Sequence, residues 1–464
     1  MSQRRKFLGT LAAAGVGLVL PGCGGGGGGG GSEVLTSVLS NVSRVPVVPN
    51  TGANGSLGRV VVVGGGMAGA SMAKYLRLWG GTGMGVTLVE REPTYTTNIS
   101  SNLVLNGSRR ISDLIFNYDR LRSYGVDVRT GEVADIAHNP STGGSVNVRP
   151  LSGSNVNLPY DRLVLAPGID FDVLPGLETD AAQARVPHAW KAGAQTLILR
   201  DQLSAMRPGG TFILSIPPTP FRAATAPYER ACIVADFLKR TNPTAKVLVL
   251  DANANFAGGA ATFGAAFSGL YAGIISYVPN AQVTAVNAAV SPIQVTATIG
   301  GVTGQLLLGD VVNVIPRQKA GRIVTDSGLG LANANGGRFA AVNVLSYEST
   351  AVPRIHVVGD SSSAAPQPKA GHMGNQQGKV GADAIVRLFS GQALDPAPAT
   401  ATVGFSPITA DTAAWFTTVF QAAVGTNGVA TMVGRPAGES ANPTDKNFER
   451  LFKWFGELHA DTLA

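Results

Sequence analysis

Three glycines near the start of the chain have the spacing of a nucleotide-binding turn. Gly64, Gly66 and Gly69 fill a G-x-G-x-x-G frame, and Glu90 follows 21 residues after the last of them. In such a frame the first glycine permits a tight turn, the second lets a diphosphate approach the backbone, and the third lets helix and strand pack closely. A carboxylate at the position of Glu90 accepts ribose hydroxyls. The pattern therefore predicts a dinucleotide whose phosphates lie at a helix N-terminus.

The flanking segments predict the elements that hold this turn. Four consecutive valines, Val60–Val63, are typical of a buried parallel strand, and residues 70–79 continue as a helix. A second apolar run ends at Glu90, so strand, loop, helix, strand and acid follow one another as in a Rossmann unit. The alternative is a Rossmann-like fold whose site is empty. Further along, residues 111–125 predict a helix, and residues 162–166 predict a strand that ends at Pro167-Gly168.

The first 57 residues predict export rather than a folded unit. Arg4-Arg5 precede a short apolar run, which resembles a twin-arginine signal, and the run ends in Cys23 within a lipobox-like sequence. We expect a signal over residues 1–23 and a glycine-rich tether over residues 24–57. The protein would then reside on the periplasmic side of a bacterial membrane, attached only through lipidated Cys23. Ordinary cleavage nearby is the alternative, because Pro21 is unusual in a lipobox.

Composition excludes several classes of function. The net charge is +7 and only 14% of residues are charged; loss of the three basic residues of the leader leaves +4. No basic stripe with interleaved aromatic residues is present, so we expect no nucleic-acid partner. The two cysteines, Cys23 and Cys232, give no disulfide framework, and we predict no metal site.

Several motifs spread along the chain resemble one family. They include YDRLVLAPGID, PHAWKAG, PFR with PYERA, NVIPRQKAG, YEST, IHVVGD and PKAGHMGNQQGKV. Together they resemble the flavoprotein subunit of flavocytochrome c sulfide dehydrogenase. The resemblance implies FAD, two Rossmann-like domains of the glutathione-reductase type, a small C-terminal α+β interface domain and a c-type cytochrome partner. No C-x-x-C-H occurs, so any haem would belong to that partner.

The resemblance also divides the chain and assigns cofactor contacts. It implies an FAD-binding domain over residues 58–185 and 305–392, a second Rossmann-like domain over 186–304 and the interface domain over 393–464. Asp360 would bond the ribityl chain, although a surface turn is the alternative. Lys369 and the helix that begins near Gly371 would stabilise the reduced flavin ring. His372 would donate a proton or simply cap the helix. The remaining implied contacts are Asn98, Asn102, Val133, Ala166, Gly168 and Gly359.

The sequence of the second Rossmann-like unit predicts that this unit shapes the substrate side of the flavin and does not bind a nicotinamide nucleotide. Its turn carries Pro217, Pro218 and Pro220, which cannot donate N–H groups to a diphosphate. Glu229 matches a glutamate that the family places near the flavin as a proton acceptor. Desolvation there would raise its pKa and suit it to general-base work. The alternative is a helix N-terminal glutamate stabilised by the helix dipole.

Three departures from the family bear on the reaction. Asn98 stands where the family attaches FAD through a cysteine, so we expect non-covalent FAD. Ala223 and Ala340 stand where the family places its redox cysteine pair, and Cys232 lies on an apolar helical pattern that favours burial. Sulfide oxidation by the family's route needs that thiol pair.

These residues predict an exported FAD-dependent oxidoreductase. It would take electrons from a small-molecule hydride donor, with Glu229 or His372 receiving a proton, and pass them to a c-type cytochrome or another periplasmic acceptor. One alternative is sulfide oxidation without the cysteine pair. Another is a lipid-anchored electron-relay subunit with no substrate of its own. Near the C-terminus, an amphipathic helical pattern predicts core or domain packing. The resemblance implies that this region lies near the flavin and the partner face, where Trp454 or Trp415 would line that face.

Overall fold

The computed structural model describes residues 55–464. The predicted signal and nearly all of the predicted tether, with Cys23, lie outside the described residues. Within residues 55–464, no helix combines the length and the apolarity needed to cross a bilayer.

The first third of the described chain contains most strands of a large sheet and a few strands that lie outside it. Its strands are β1 (Gly58–Val63), β2 (Met84–Glu90), β3 (Tyr95–Thr96), β4 (Ile115–Phe116), β5 (Asp127–Asn139), β6 (Gly143–Pro150), β7 (Val156–Tyr160), β8 (Arg162–Leu165) and β9 (Ile169–Phe171). Its helices are α1 (Met67–Gly80), α2 (Asn102–Leu105), α3 (Asp119–Ser123), α4 (Asp180–Arg185) and α5 (Ala194–Ser204). β1 lies between β2 and β8 with parallel pairing on both sides, and its four valines are at most 8% exposed. The predicted buried parallel strand is confirmed.

The middle third contains a second, smaller parallel sheet and a separate antiparallel one. The elements in this part of the chain are β10 (Thr211–Ile216), α6 (Ala226–Thr241), β11 (Lys246–Asp251), α7 (Ala260–Ala265), β12 (Ile275–Val278), β13 (Ala281–Asn287), β14 (Ile293–Ile299), β15 (Val302–Gly309), β16 (Val311–Val314) and β17 (Gln318–Ala320). The parallel sheet has the strand order β12-β11-β10-β16, whereas β13, β14 and β15 form the antiparallel sheet and β17 pairs with β9. The predicted boundary at residue 304 falls inside β15, and β16, the last strand of the parallel sheet, comes after it.

The final third returns to the first sheet and then adds a separate one. Its elements are α8 (Arg322–Thr325), β18 (Ala332–Ala334), β19 (Phe339–Asn343), β20 (Glu348–Ser349), β21 (Ile355–Val357), β22 (Ser362–Ser363), α9 (Gly371–Phe389), β23 (Ala399–Pro407), β24 (Ala413–Val424), β25 (Ala430–Glu439) and α10 (Asp445–Leu463). β21 joins β8 in parallel, so the large sheet has an α/β core of β21-β8-β1-β2-β5. β23, β24 and β25 form an antiparallel sheet.

A buried polar cluster fastens α10 to the first nucleotide-binding unit. Asp461 is fully buried and accepts hydrogen bonds from Lys379 of α9, from the Tyr75 hydroxyl of α1 and from Asn375 Nδ2 at 2.9 Å. Lys74 Nζ donates to the carbonyl oxygens of Ala460 and Asp461, each at 3.0 Å. A lysine near the carbonyl end of a helix satisfies acceptors that have no intrahelical partner. The cluster thereby fixes the helix that carries Trp454.

Replacing Asp461 with asparagine is expected to destabilise the protein by about 3–5 kcal/mol, because Lys379 would keep a buried charge without its carboxylate. Urea unfolding monitored by tryptophan fluorescence measures the change. Glu449→Gln, at an exposed position of the same helix, is the matched control and should leave the midpoint unchanged. Equal midpoints for the two variants would contradict a stabilising role for the cluster.

Candidate functional site

The glycine turn between β1 and α1 is set by close backbone contacts. Gly64 has a φ of +101°, and a Cβ there would lie 2.3 Å from the carbonyl oxygen of Ala166. A Cβ on Gly69 would lie 1.9 Å from the carbonyl oxygen of Gly64. At Gly66 the nearest atom to such a Cβ is a ring carbon of Tyr95 at 3.7 Å, which is an ordinary van der Waals contact, and this glycine lines the cavity described below. The first and third glycines thus serve packing, and the second leaves a cradle for a ligand.

Glu90 is tied to the same turn from the end of β2. Its Oε2 accepts a hydrogen bond from the Gly65 N–H at 2.6 Å, and its Oε1 accepts one from the Glu92 N–H at 3.1 Å. The carboxylate lies at the carboxyl edge of the parallel strands, where open α/β sheets bind nucleotides. Its position suits the predicted ribose contact.

A cavity of about 1460 Å³ runs along this edge and collects the predicted residues. It exceeds the usual volume of a pocket for one drug-sized ligand, so it has room for a dinucleotide and a small second molecule. The predicted site residues that line it are Gly64, Gly66, Glu90, Asn98, Asn102, Val133, Ala166, Gly168, Glu229, Gly359, Asp360, Gly371 and His372. Asn98 Oδ1 also accepts a hydrogen bond from the Ala192 N–H at 2.7 Å. Gly69 acts behind the wall, through packing.

Lys369 lies outside the cavity wall. Its Nζ donates to the carbonyl oxygens of Asp360 at 3.0 Å and Ser362 at 2.6 Å, and it lies 3.7 Å from the ring centre of Phe339. The ammonium group thus binds main-chain acceptors of the loop before α9, and its predicted contact with the flavin stays a prediction. Its neighbour Asp360 lines the cavity, and burial raises the pKa of that carboxyl.

Glu229 lies in the first turn of α6, in the cavity wall, and is only 7% exposed. Burial raises the pKa of its carboxyl to about 7, although hydrogen bonds from Asn102 and Ser406 oppose that rise. Asn102 Nδ2 donates to Glu229 Oε1 at 2.8 Å. A carboxylate with a pKa near neutrality can both accept and return a proton.

Arg230 holds Asn102 in the orientation that this contact requires. Its Nε donates to Asn102 Oδ1 at 2.9 Å, and one terminal nitrogen donates to Asn313 Oδ1 at 2.9 Å. The other terminal nitrogen donates to the carbonyl oxygen of Ala189 at 2.7 Å. The network assigns the amide donor of Asn102 to Glu229 because its oxygen faces a cation. Sequence reasoning missed Asn313 and Ser406, since neither lies in a motif that indicates a proton-transfer site.

His372 is the second residue of α9 and lies beside Trp454, with the ring centres 5.9 Å apart. Its Nε2 is buried and has no hydrogen-bond partner among the described residues. Burial lowers the pKa of the imidazole to about 4, so the ring is neutral at physiological pH. No side chain caps α9. The ring is therefore available to a ligand rather than used as a helix cap. Trp454 lines the cavity, whereas Trp415 does not.

The two alanines in the places of the family's cysteines differ in location. Ala223 lines the cavity with a φ of +57°, and its N–H donates to the carbonyl oxygen of Lys369 at 2.7 Å. Ala340 is fully buried in the core under the large sheet and does not reach the wall. Of these two alanines, only Ala223 is therefore placed to contact a substrate. Cys232 is fully buried in α6, and no cysteine of residues 55–464 lines the cavity.

The second parallel sheet presents no free acid for a nicotinamide nucleotide. Asp251 ends β11, the position that Glu90 has in β2, but it is fully buried. Its Oδ2 accepts from the hydroxyls of Tyr228 at 2.7 Å and Tyr277 at 2.9 Å, and its Oδ1 accepts from Asn253 Nδ2 at 2.7 Å. The carboxylate is saturated by protein donors, which agrees with the proline-rich turn at the end of β10.

The glycine turn, the acid at the end of β2 and the returning strand β21 define an FAD-dependent oxidoreductase with Rossmann-type domains. Residues 58–197 match the family model described as pyridine nucleotide-disulphide oxidoreductase. Residues 196–316 match the model for the central part of the sulfide dehydrogenase [flavocytochrome c] flavoprotein chain. Over these two segments the chain is similar to the pyridine nucleotide-disulphide oxidoreductases and to the flavocytochrome c sulfide dehydrogenase flavoprotein, and its cofactor is a flavin.

Solved structures share the fold at low sequence identity. The sulfide:quinone oxidoreductase from the hyperthermophilic bacterium Aquifex aeolicus matches with a TM-score of 0.66 and 17% identity, over 87% of this chain and 91% of that one. The NAD-dependent persulfide reductase from A. fulgidus matches with a TM-score of 0.56 and 18% identity, over 87% and 77%. The water-forming NADH oxidase from Lactobacillus brevis matches with a TM-score of 0.55 and 14% identity, over 88% and 91%. At these identities they show the fold.

Proposed function

We propose that this protein is an exported FAD-dependent dehydrogenase that oxidises a small-molecule substrate and passes the electrons to a c-type cytochrome or a similar periplasmic acceptor. The observation that carries the proposal is a cavity that collects most of the predicted flavin contacts, with Ala223 in its wall and no cysteine of residues 55–464 lining it. A route that traps sulfur on a thiolate needs a cysteine at the site. A substrate that gives up a hydride does not.

The residues of this chain fit FAD. Gly66 leaves an open cradle at the N-terminus of α1, where free N–H groups favour a diphosphate. Glu90 suits a ribose, and Asp360 would accept from the hydroxyl-rich ribityl chain. When bound, the flavin supplies a ring that accepts a hydride.

The protein's own contribution to the reaction is proton handling and the exclusion of water. Glu229 would accept the proton that the substrate loses, because its carboxylate is held by Asn102 at the wall. Neutral His372 would orient the substrate through its unpartnered Nε2. Trp454 and Phe405 close the adjoining wall with apolar surface, which keeps water from the reacting atoms.

We expect the flavin to be bound without a covalent link. Asn98 occupies the place of the attaching cysteine, and its amide has no nucleophilic sulfur. Acid precipitation of the purified protein should therefore leave all the flavin in the supernatant, identified as intact FAD by chromatography. Flavin fluorescence that remains on the protein band in a denaturing gel would contradict this expectation.

An anaerobic substrate screen tests the proposed reaction. Candidate hydride donors are mixed with the purified protein, and bleaching of the flavin absorbance reports reduction of the flavin. A soluble c-type cytochrome is then added as a surrogate electron acceptor. A purified protein without flavin would contradict the proposal. Reduction only by other electron carriers would favour the electron-relay alternative, in which the chain has no substrate of its own.

Sulfide oxidation without the cysteine pair is a second candidate. It is favoured by the match of residues 196–316 to the central part of the sulfide dehydrogenase flavoprotein. Bleaching of the flavin by sulfide in the same screen would support this second function. If sulfide, polysulfide and thiosulfate all fail to bleach the flavin, the result would contradict it.

Export and anchoring rest on residues 1–23 alone. Fractionation of cells that produce the full chain tests both: the proposal expects the protein in the membrane fraction, and expects Cys23→Ser to release it. A wild-type protein that remains in the cytoplasm would contradict export.

A further inference from the structure

Arg222 is a buried cation in the cavity wall that the proposed function has not used. It is only 9% exposed and lies in the loop between β10 and α6. Its N–H donates to Gln318 Oε1 at 2.7 Å, and the N–H of the next residue, Ala223, donates to the carbonyl oxygen of Lys369 at 2.7 Å. The backbone that carries the guanidinium is therefore held on both sides.

The guanidinium itself lacks a hydrogen-bond partner in the described part of the chain. Arg230, which is almost fully buried, behaves differently, because it donates to two amide oxygens and two carbonyl oxygens. A guanidinium has five N–H donors. Those of Arg222 are accessible from the cavity and not sealed in the core. Arg222 is thus built to meet an acceptor that the protein does not supply.

The neighbouring charged groups do not supply a hydrogen-bond acceptor for the Arg222 guanidinium. Burial lowers the pKa of Arg222, whereas Asp360 and the Tyr95 hydroxyl raise it. Neither of these two groups makes an ion pair or a hydrogen bond with it. Arg230 and Lys191 line the same cavity and add positive charge to it. An anion entering the cavity would be attracted to this wall.

The position of Arg222 favours the substrate over the nucleotide as the source of that anion. The glycine turn and the N-terminus of α1 would already bind the nucleotide phosphates. Arg222 instead shares its loop and the following helix turn with Ala223 and Glu229, which form the wall where the substrate is proposed to react. A guanidinium presents a planar fork of donors that matches a carboxylate with two parallel hydrogen bonds.

We propose that Arg222 binds the carboxylate of the substrate, so that the dehydrogenase acts on a small organic acid. The inference rests on the proposed function and narrows it to a substrate class. The apolar part of such an acid would lie against Phe405, Phe416 and Trp454, which line the same cavity.

Calorimetric titration of the flavin-loaded protein with benzoate and with benzamide at pH 8 tests the proposal. The two probes share an aromatic body, and only benzoate carries a negative charge. We expect the wild type to prefer benzoate, and Arg222→Gln to weaken benzoate binding roughly 10- to 100-fold while benzamide binding stays the same. Arg222→Lys, which keeps the charge but loses the fork, should show an intermediate loss. Arg122→Gln is the control, because its exposed side chain is paired with Asp119 at 3.1 Å, lies outside the cavity wall and should not affect either probe.

Several outcomes would overturn the proposal. Equal wild-type affinities for benzoate and benzamide would do so without any variant, which covers the case that Arg222→Gln does not fold. A loss of FAD affinity in Arg222→Gln with unchanged benzoate binding would show that the cation serves the nucleotide. A protein that retains no flavin would contradict the proposed function, and the benzoate preference of that same preparation would still decide the role of Arg222.

Discussion

Replacing Gly69 with alanine is expected to abolish flavin binding, although Gly69 touches no part of the cavity. The added Cβ would lie 1.9 Å from the carbonyl oxygen of Gly64, and that atom belongs to the backbone of the nucleotide turn. Neither partner can move without shifting α1 away from β1. Overpacking typically costs about 1–3 kcal/mol, and we expect the upper end of that range here because the clash is with backbone. If that cost appears in the binding equilibrium, the affinity for FAD falls about 100-fold.

Flavin content after purification and fluorescence titration of the flavin-free protein measure this effect. Gly456→Ala is the matched control, because it also changes a helical glycine to alanine but finds no atom within 4 Å of the new Cβ. It should bind FAD normally and gain about 0.5–1 kcal/mol of stability. Normal FAD affinity in Gly69→Ala would mean that α1 does not need its close contact with the turn.

Replacing Glu229 with glutamine is expected to slow substrate-dependent flavin reduction by about 100-fold or more while FAD stays bound. The amide keeps the shape of the side chain but cannot accept a proton, and loss of a positioned general base typically costs 10²- to 10⁴-fold. Stopped-flow spectrometry with a reductant found in the anaerobic screen measures the rate. Glu449→Gln, at an exposed position of α10, should reduce at the wild-type rate.

The pH dependence gives the Glu229 prediction a second test. Because burial places the pKa of Glu229 at about 7, the wild-type rate should rise as the pH increases through 7, and the rate of Glu229→Gln should lack this step. The stability of the wild type should instead fall as the pH rises. A carboxyl whose pKa is raised by folding stabilises the protein below its unfolded pKa, and this contribution is lost as the pH rises through the folded pKa. Between pH 4.5 and 8, the free energy of unfolding of Glu229→Gln should therefore rise by about 3 kcal/mol relative to that of the wild type. Parallel stability curves would contradict the buried, titrating carboxyl.

The sequence predicts the nucleotide-binding core well because its signals are local and strong. Val60–Val63 can hardly be anything but a buried strand, and the glycine spacing fixes a turn whose geometry few other residues permit. The predicted helix over 111–125 is wrong. That segment divides into a 3₁₀ turn at Ile111–Leu114, strand β4 and the short helix α3, because Ile115 and Phe116 pair with β3. Helical spacing cannot reveal a strand partner that lies elsewhere in the chain.

Side-chain direction is the part of the site that the sequence could not supply. Lys369 and Arg222 are both cations in loops that precede helices, and only the structure distinguishes them. Lys369 turns to unpaired carbonyl groups in its own loop, whereas Arg222 turns into the cavity. Ala340 is likewise placed by long-range pairing with β18 and β22, which no local pattern encodes.

The sealed thiol of Cys232 has a practical consequence for how the protein withstands its surroundings. Burial raises the pKa of this thiol well above its usual range, so little thiolate forms, and alkylating agents and peroxides react with the thiolate. Within residues 55–464 no other cysteine exists. The folded catalytic unit should therefore tolerate heavy metals, maleimides and changes in ambient redox potential. A cysteine introduced on its surface would also give spectroscopists a single site for attaching a label.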